Sequence, residues 1–160
     1  MSFASLLQRF AEAVQRNDGP ALAALFTADG VYEDGFFGPH AGPAAIAAML
    51  QRFHDGGGDY WWEFFDAMQA GDLGYARWRF SYASRRPGAE GRPVLFEGIS
   101  QFRLCRGLIA HYFEVFDRGL ALAQQDYPAA GIASVVAKAA ARQNAKPDCA
   151  AHLARFAAGE

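Results

Sequence analysis

Apolar positions along this chain keep two different rhythms. Near the N-terminus Phe3, Leu6, Leu7, Phe10, Ala11 and Val14 recur three and four residues apart, which places them on one face of an α-helix. NDGP closes that helix, and Pro20 opens a short second one that buries Leu22, Leu25 and Phe26. ADG then reads as a turn, VYED as a short strand and the glycine-bounded GFFGPHAG as a loop. Ile46, Met49, Leu50 and Phe53 restore the helical spacing until HDGGG ends it.

From Asp59 onward the period shortens to two. YWWEFFDAMQ, LGYARWRFSYAS, RPVLFEGISQFRL and LIAHYFEVF are rich in aromatic and β-branched residues and are separated by hairpin-sized connectors. They predict four long antiparallel strands in a meander. The basic stretch YASRRPGAEGR is expected to be a solvated hairpin tip. Large apolar residues occupy both parities of these strands, so both sheet faces need cover. Helices can cover one, and a second subunit, hence a homodimer through the outer sheet face, is the simplest cover for the other. After Asp117 helical spacing returns in an alanine-rich tail, with Ile132, Val135, Val136, Ala139 and Ala140 on one stripe. Beyond KPD, Leu153 and Phe156 lie on another.

Composition narrows the partners. The chain's 160 residues suit one domain able to bury a core, with 52% hydrophobic and 20% charged residues. Its apolar runs are too short and too interrupted by charge to span a bilayer, so no membrane partner is expected. A net charge of -2 gives no general attraction to phosphate backbones, which argues against nucleic acid. Cys105 and Cys149 are isolated, and no three ligands have metal spacing. No metal and no cofactor are therefore expected. The charged N-terminal helix does not read as a secretion signal, which leaves the cytoplasm as the expected compartment.

The order of elements resembles the nuclear transport factor 2-like superfamily, also called SnoaL-like polyketide cyclases. ALFTADGVYED before the first strand, GPHAGPAAIAAML at the third helix and GLIAHYFEVFD ending the sheet carry the likeness. It implies an α+β fold: a cone-shaped curved sheet, mixed or antiparallel, wrapped around N-terminal helices and enclosing an apolar cavity. Residues 1–117 would form the cone. Residues 118–160 would be a helical C-terminal extension, with Leu120 and Leu122 beginning a lid across the cone mouth or onto a partner subunit. Relatives include ketosteroid isomerases and limonene epoxide hydrolase. In the epoxide hydrolases a tyrosine and an amide on the first strand and an acid on the last activate a water. Tyr32, Asp34 and Glu114 stand at those positions. An inward arginine and aspartate on a middle strand have no counterpart, because the alternation points Trp78, Phe80 and Tyr82 inward and Arg77 and Arg79 outward. Likeness to the ketosteroid isomerases makes Asp34 a candidate base by neighbourhood.

Period two puts Tyr32 with Asp34 on one face of the first strand, and Tyr112 with Glu114 and Phe116 on one face of the last. A carboxyl among aromatic rings loses hydration, and its pKa rises toward the range useful for proton transfer. Asp34, Glu114 and Tyr32 are thus the candidate catalytic residues, with Tyr82 or Tyr112 as further donors to an oxyanion. Trp62, Trp78, Phe80, Phe96 and Phe102 would wall a pocket for a small apolar or polycyclic molecule, with His40 at its mouth. Plainer roles stand beside these: a turn or helix-start cap for Asp34, an arginine pair with Arg79 or Arg103 for Glu114, core packing for the rings, and solvation for His40. The residues therefore leave two functions open. One is a cofactor-free isomerase, cyclase or hydrolase; the other is a non-catalytic dimeric module that binds an apolar ligand or a protein.

Overall fold

A computed structural model describes residues 1–157. Three helices lead: α1 (Phe3–Gln15), α2 (Gly19–Ala23) and, after two strands, α3 (Pro43–Asp55). Ser2 caps α1 by accepting from the Ser5 N–H at 3.2 Å, and Asp18 caps α2 by accepting from the Ala21 N–H at 2.9 Å. Gly42 enters α3 at φ 80°, a conformation that favours glycine, and Pro43 then fixes the first helical turn.

The strands are β1 (Phe26–Asp34), β2 (Gly38–Ala41), β3 (Gly57–Ala70), β4 (Leu73–Ser84), β5 (Pro93–Cys105) and β6 (Leu108–Phe116). They form one mixed sheet in the order β2-β1-β6-β5-β4-β3. The four long strands form the expected meander. The first strand departs from expectation, because it begins at Phe26 and runs through ADG instead of starting at Val31. The ADG residues themselves have no register partner: they lie between the paired Phe26 and Val31, and the Gly30 carbonyl accepts from the Gly42 N–H at 2.9 Å. β6 lies parallel on one flank, with an irregular register between Phe26 and Val31, and β2 lies antiparallel on the other. The supposed loop GFFGPHAG therefore contains a hairpin strand in which Asp34 faces Gly38.

Register breaks in β3 between Gly58 and Trp61 and between Phe65 and Met68 contain Asp59 at φ 52° and Asp66 at φ 53°. Such bulges bend a strand and tighten its twist, and here they curl the long meander around the helices. The concave face presents Trp62, Trp78, Phe80, Phe96, Phe102 and Tyr112 to Leu6, Phe10, Val14, Ile46, Met49 and Leu50 of the helices. The convex face leaves Trp61, Tyr75, Leu95, Ile99 and Val115 exposed. Between them sit ion pairs such as Arg77–Asp66 and Arg79–Glu97.

Beyond the sheet follow α4 (Arg118–Ala123), α5 (Ala129–Asn144) and α6 (Pro147–Ala157). Leu122 of α4 is buried, whereas α5 buries no side chain. Polar ties hold α5 and the turn after it: Arg142 donates to the Phe36 carbonyl at 3.0 Å, and Lys146 pairs with Glu33. The β4–β5 tip is not simply solvated. Arg85 donates to the His54 carbonyl at 2.9 Å and Arg86 to the Gln125 carbonyl at 2.7 Å, which fixes both arginines against the body of the protein. Among the described residues no helix is long and apolar enough to cross a membrane.

Candidate functional site

Asp34 ends β1 and Glu114 sits near the end of β6, and the parallel pairing of those strands brings them to one place on the concave face. Both are buried, at 7% and 5% exposure, and neither has a salt-bridge partner among the described residues. Arg79, weighed as a partner for Glu114, pairs instead with Glu97 on the convex face. Burying two carboxyls in this way is costly unless hydrogen bonds compensate or a proton is retained.

The two acids are compensated differently. Asp34 Oδ1 accepts from the backbone N–H groups of Phe36 at 2.7 Å and Phe37 at 2.6 Å, so Asp34 caps its turn as well as facing inward. Its Oδ2 has no hydrogen-bond partner among the described residues. Both oxygens of Glu114 are engaged, Oε1 by the Gly35 N–H at 3.0 Å and Oε2 by the Tyr112 hydroxyl at 2.6 Å. Behind Tyr112 the donors line up: Trp78 Nε1 donates to Ser100 Oγ at 2.8 Å, and Ser100 donates to Tyr112 at 2.7 Å. Burial, then the charge of Asp34, pushes Glu114 up to about 8, against the opposing pull of Tyr112, Gly35 and Arg118. Burial also raises Asp34, but the Phe37 and Phe36 N–H groups and the charges of Arg118 and Arg142 resist it. Both acids are thus held above the ordinary carboxylate range, Asp34 against two backbone N–H donors and two arginine charges, Glu114 against one N–H, one hydroxyl and one arginine charge. The Tyr32 ring lies tilted at 46° against Tyr112 with ring centroids 4.4 Å apart, and burial raises its pKa well above the ordinary tyrosine value.

Tyr32, Asp34, Glu114, Trp62, Trp78, Phe80 and Phe96 all line one enclosed hollow. The hollow is narrow, about 20 Å³, room for little more than one water. Four other expected pocket residues stand elsewhere. Phe102 packs edge-on against Phe3 and Phe10 as core, because α1 covers that end of the sheet. Tyr112 supports Glu114 from behind, while Tyr82 reaches outward to accept from Gln125 Nε2 at 3.1 Å. His40 lies on β2 opposite Tyr32 and not in a loop at the mouth, and its Nε2 is buried without a partner among the described residues.

Ser100, Gly35, Phe36, Phe53 and Arg118 also shape the site and are absent from the sequence-based set. Ser100 was findable, since it is a small hydroxyl on the aromatic parity of β5. Arg118, which donates through Nε to the Gly35 carbonyl, lies beyond the last strand, where no periodicity points to it. Among the described residues no group of three or more His, Cys, Asp or Glu side chains is arranged to hold a metal ion.

Comparison with known proteins agrees with this architecture. A protein of ketosteroid isomerase-like fold from Catenulispora acidiphila, solved with trimethylamine, superposes with a TM-score of 0.73. It is 22% identical, over 81% of this chain and 98% of that one. IdmH of Streptomyces antibioticus, assigned as a polyketide cyclase, gives 0.67 at 21% identity over 78% and 98%. An LEH-like epoxide hydrolase from M. tuberculosis gives 0.61 at 19% identity over 84% and 94%. At such identities the likeness is one of fold. No protein of curated function matches the sequence. Residues 7–112, from α1 to the tyrosine that supports Glu114, match the SnoaL-like domain, and the chain belongs to that family.

Proposed function

We propose that the chain is a cofactor-independent acid–base catalyst acting on a small apolar, flat or polycyclic carbonyl compound. Asp34 Oδ2 takes a proton from carbon beside the carbonyl, and Glu114 delivers its own proton to the carbonyl oxygen. A C–H bond is broken and an O–H bond formed, giving the enol from which isomerisation or ring closure proceeds. The observation that carries this reading is the asymmetry of the pair: one acid has a free oxygen and two N–H donors, the other is raised to about 8.

The test is deuterium exchange at the α-carbon of polycyclic ketones, followed by NMR. Wild type should exchange faster than buffer, and Asp34→Asn should slow exchange by about 10²-fold or more. Glu114→Gln should remove the alkaline limb of the pH profile. Unchanged exchange in Asp34→Asn refutes the assignment. A second reading, a ligand-binding module without catalysis, is favoured by the narrowness of the hollow. It predicts tight probe binding with no exchange above buffer in wild type.

A further inference from the structure

Outside the hollow lies a second, wider cavity of about 530 Å³, a size suited to a small-molecule ligand. The two share Phe36, Phe53 and Phe96, so these rings stand at the passage between floor and mouth. Three arginines border the outer cavity: Arg52 from α3, and Arg85 and Arg86 from the β4–β5 tip. Elsewhere, Arg77, Arg79 and Arg92 each lie within 4.0 Å of a carboxylate. None of the three at the mouth does so among the described residues, and Asp55 is the one acidic residue in the lining. They are nevertheless held in place. Arg85 and Arg86 are anchored through backbone carbonyls, Arg86 lies 4.3 Å over the Tyr127 ring and Arg52 lies 5.3 Å over Phe37. Positioned guanidinium groups with unspent donors bind oxyanions in two-point fashion.

We propose that the mouth is an anion subsite. Its ligand is then amphipathic, with an apolar ring body in the wider cavity against Phe36, Phe53 and Phe96 and a terminal carboxylate or phosphate held by Arg52, Arg85 and Arg86. This inference rests on the substrate class proposed above and extends it with a charge.

A matched pair of fluorescent probes tests it: anilinonaphthalene sulfonate, and N-phenylnaphthylamine with the same rings and no charge. Wild type should bind the anionic probe about tenfold more tightly, the equivalent of about 1.4 kcal/mol, and the preference should shrink as salt is raised. Arg52→Gln, whose side chain donates to no other group among the described residues, should cut the preference severalfold. Arg52→Gln with Arg86→Gln should abolish it while leaving the neutral probe's affinity unchanged. Competition by naphthoate and by naphthyl phosphate then separates carboxylate from phosphate recognition. Equal binding of the two probes, binding of neither, or a salt-independent preference overturns the subsite; the salt titration needs no variant that must fold. Asp34→Asn should keep the full anionic preference, so a failed proton-transfer assay and a failed subsite give different results.

Discussion

The floor and the mouth of the same concave face handle charge in opposite ways. At the floor, two carboxyls are packed among Trp78, Phe80 and Phe116 around a space of about 20 Å³. At the mouth, guanidinium groups border about 530 Å³ open to solvent. Water is scarce at the floor, so the cost of charge is met by retained protons and converging N–H and O–H groups. At the mouth water screens each charge, and the arginines form a positive rim. On the reading proposed above, proton transfer belongs to the first setting and orientation of a charged ligand to the second.

The sharpest way to break this contrast is to disturb the floor's packing. A Cβ at Gly98 would fall 2.6 Å from the Val115 carbonyl oxygen and collide with the Trp78 ring, which anchors the donor line to Glu114. Gly98→Ala should cost about 3 kcal/mol in urea unfolding, and a variant as stable as the parent would show that the floor is not rigid.

A smaller effect concerns pH. Burial raises Glu114 in the folded protein from the ordinary 4.5 to about 8. The folded state therefore binds the extra proton in that interval, and stability from this group is full below about pH 4.5 and lost as pH rises through about 8. Glu114→Gln should flatten the fall in melting temperature between pH 5 and 8. At pH 8 it should be the more stable form by at least about 1 kcal/mol, roughly 3 °C. Parallel melting curves for both proteins would place Glu114 in water instead.

The smallest effect is expected at the mouth. Ending the chain after Tyr127 removes Val135 from the cavity wall and the Arg142 bond to Phe36. The neutral probe should leave severalfold faster, the worth of about 1 kcal/mol, with little change in melting temperature because α5 buries nothing. Unaltered release would separate the extension from ligand access.

Strand parity made much of this legible. Tyr32, Asp34, Tyr112 and Glu114 turn inward as spacing of two requires, and the meander follows the apolar runs nearly residue for residue. Turn chemistry misled at ADG and GFFGPHAG: β6 pairs with Phe26 and Val31 on either side of ADG, and β1 pairs in a hairpin with the second half of GFFGPHAG. Cavity size was hidden because Phe36 and Phe53 reach the hollow from a loop and a helix whose approach no single strand encodes. The mouth arginines were hidden for a similar reason: RRPG has the composition of a free tip, and it is the carbonyls of His54, Gly56 and Gln125 that hold it in place.

Among the described residues β1 and β6 are the one parallel pair, and the Gly35 N–H reaches Glu114 across 79 residues of sequence. Hairpins such as β4–β5 close short loops, whereas this contact closes a long one at a larger entropy cost. The acid pair is therefore expected among the later contacts to form. A chain caught halfway would carry its aromatic meander already formed and its two carboxyls still apart, hydrated and chemically ordinary.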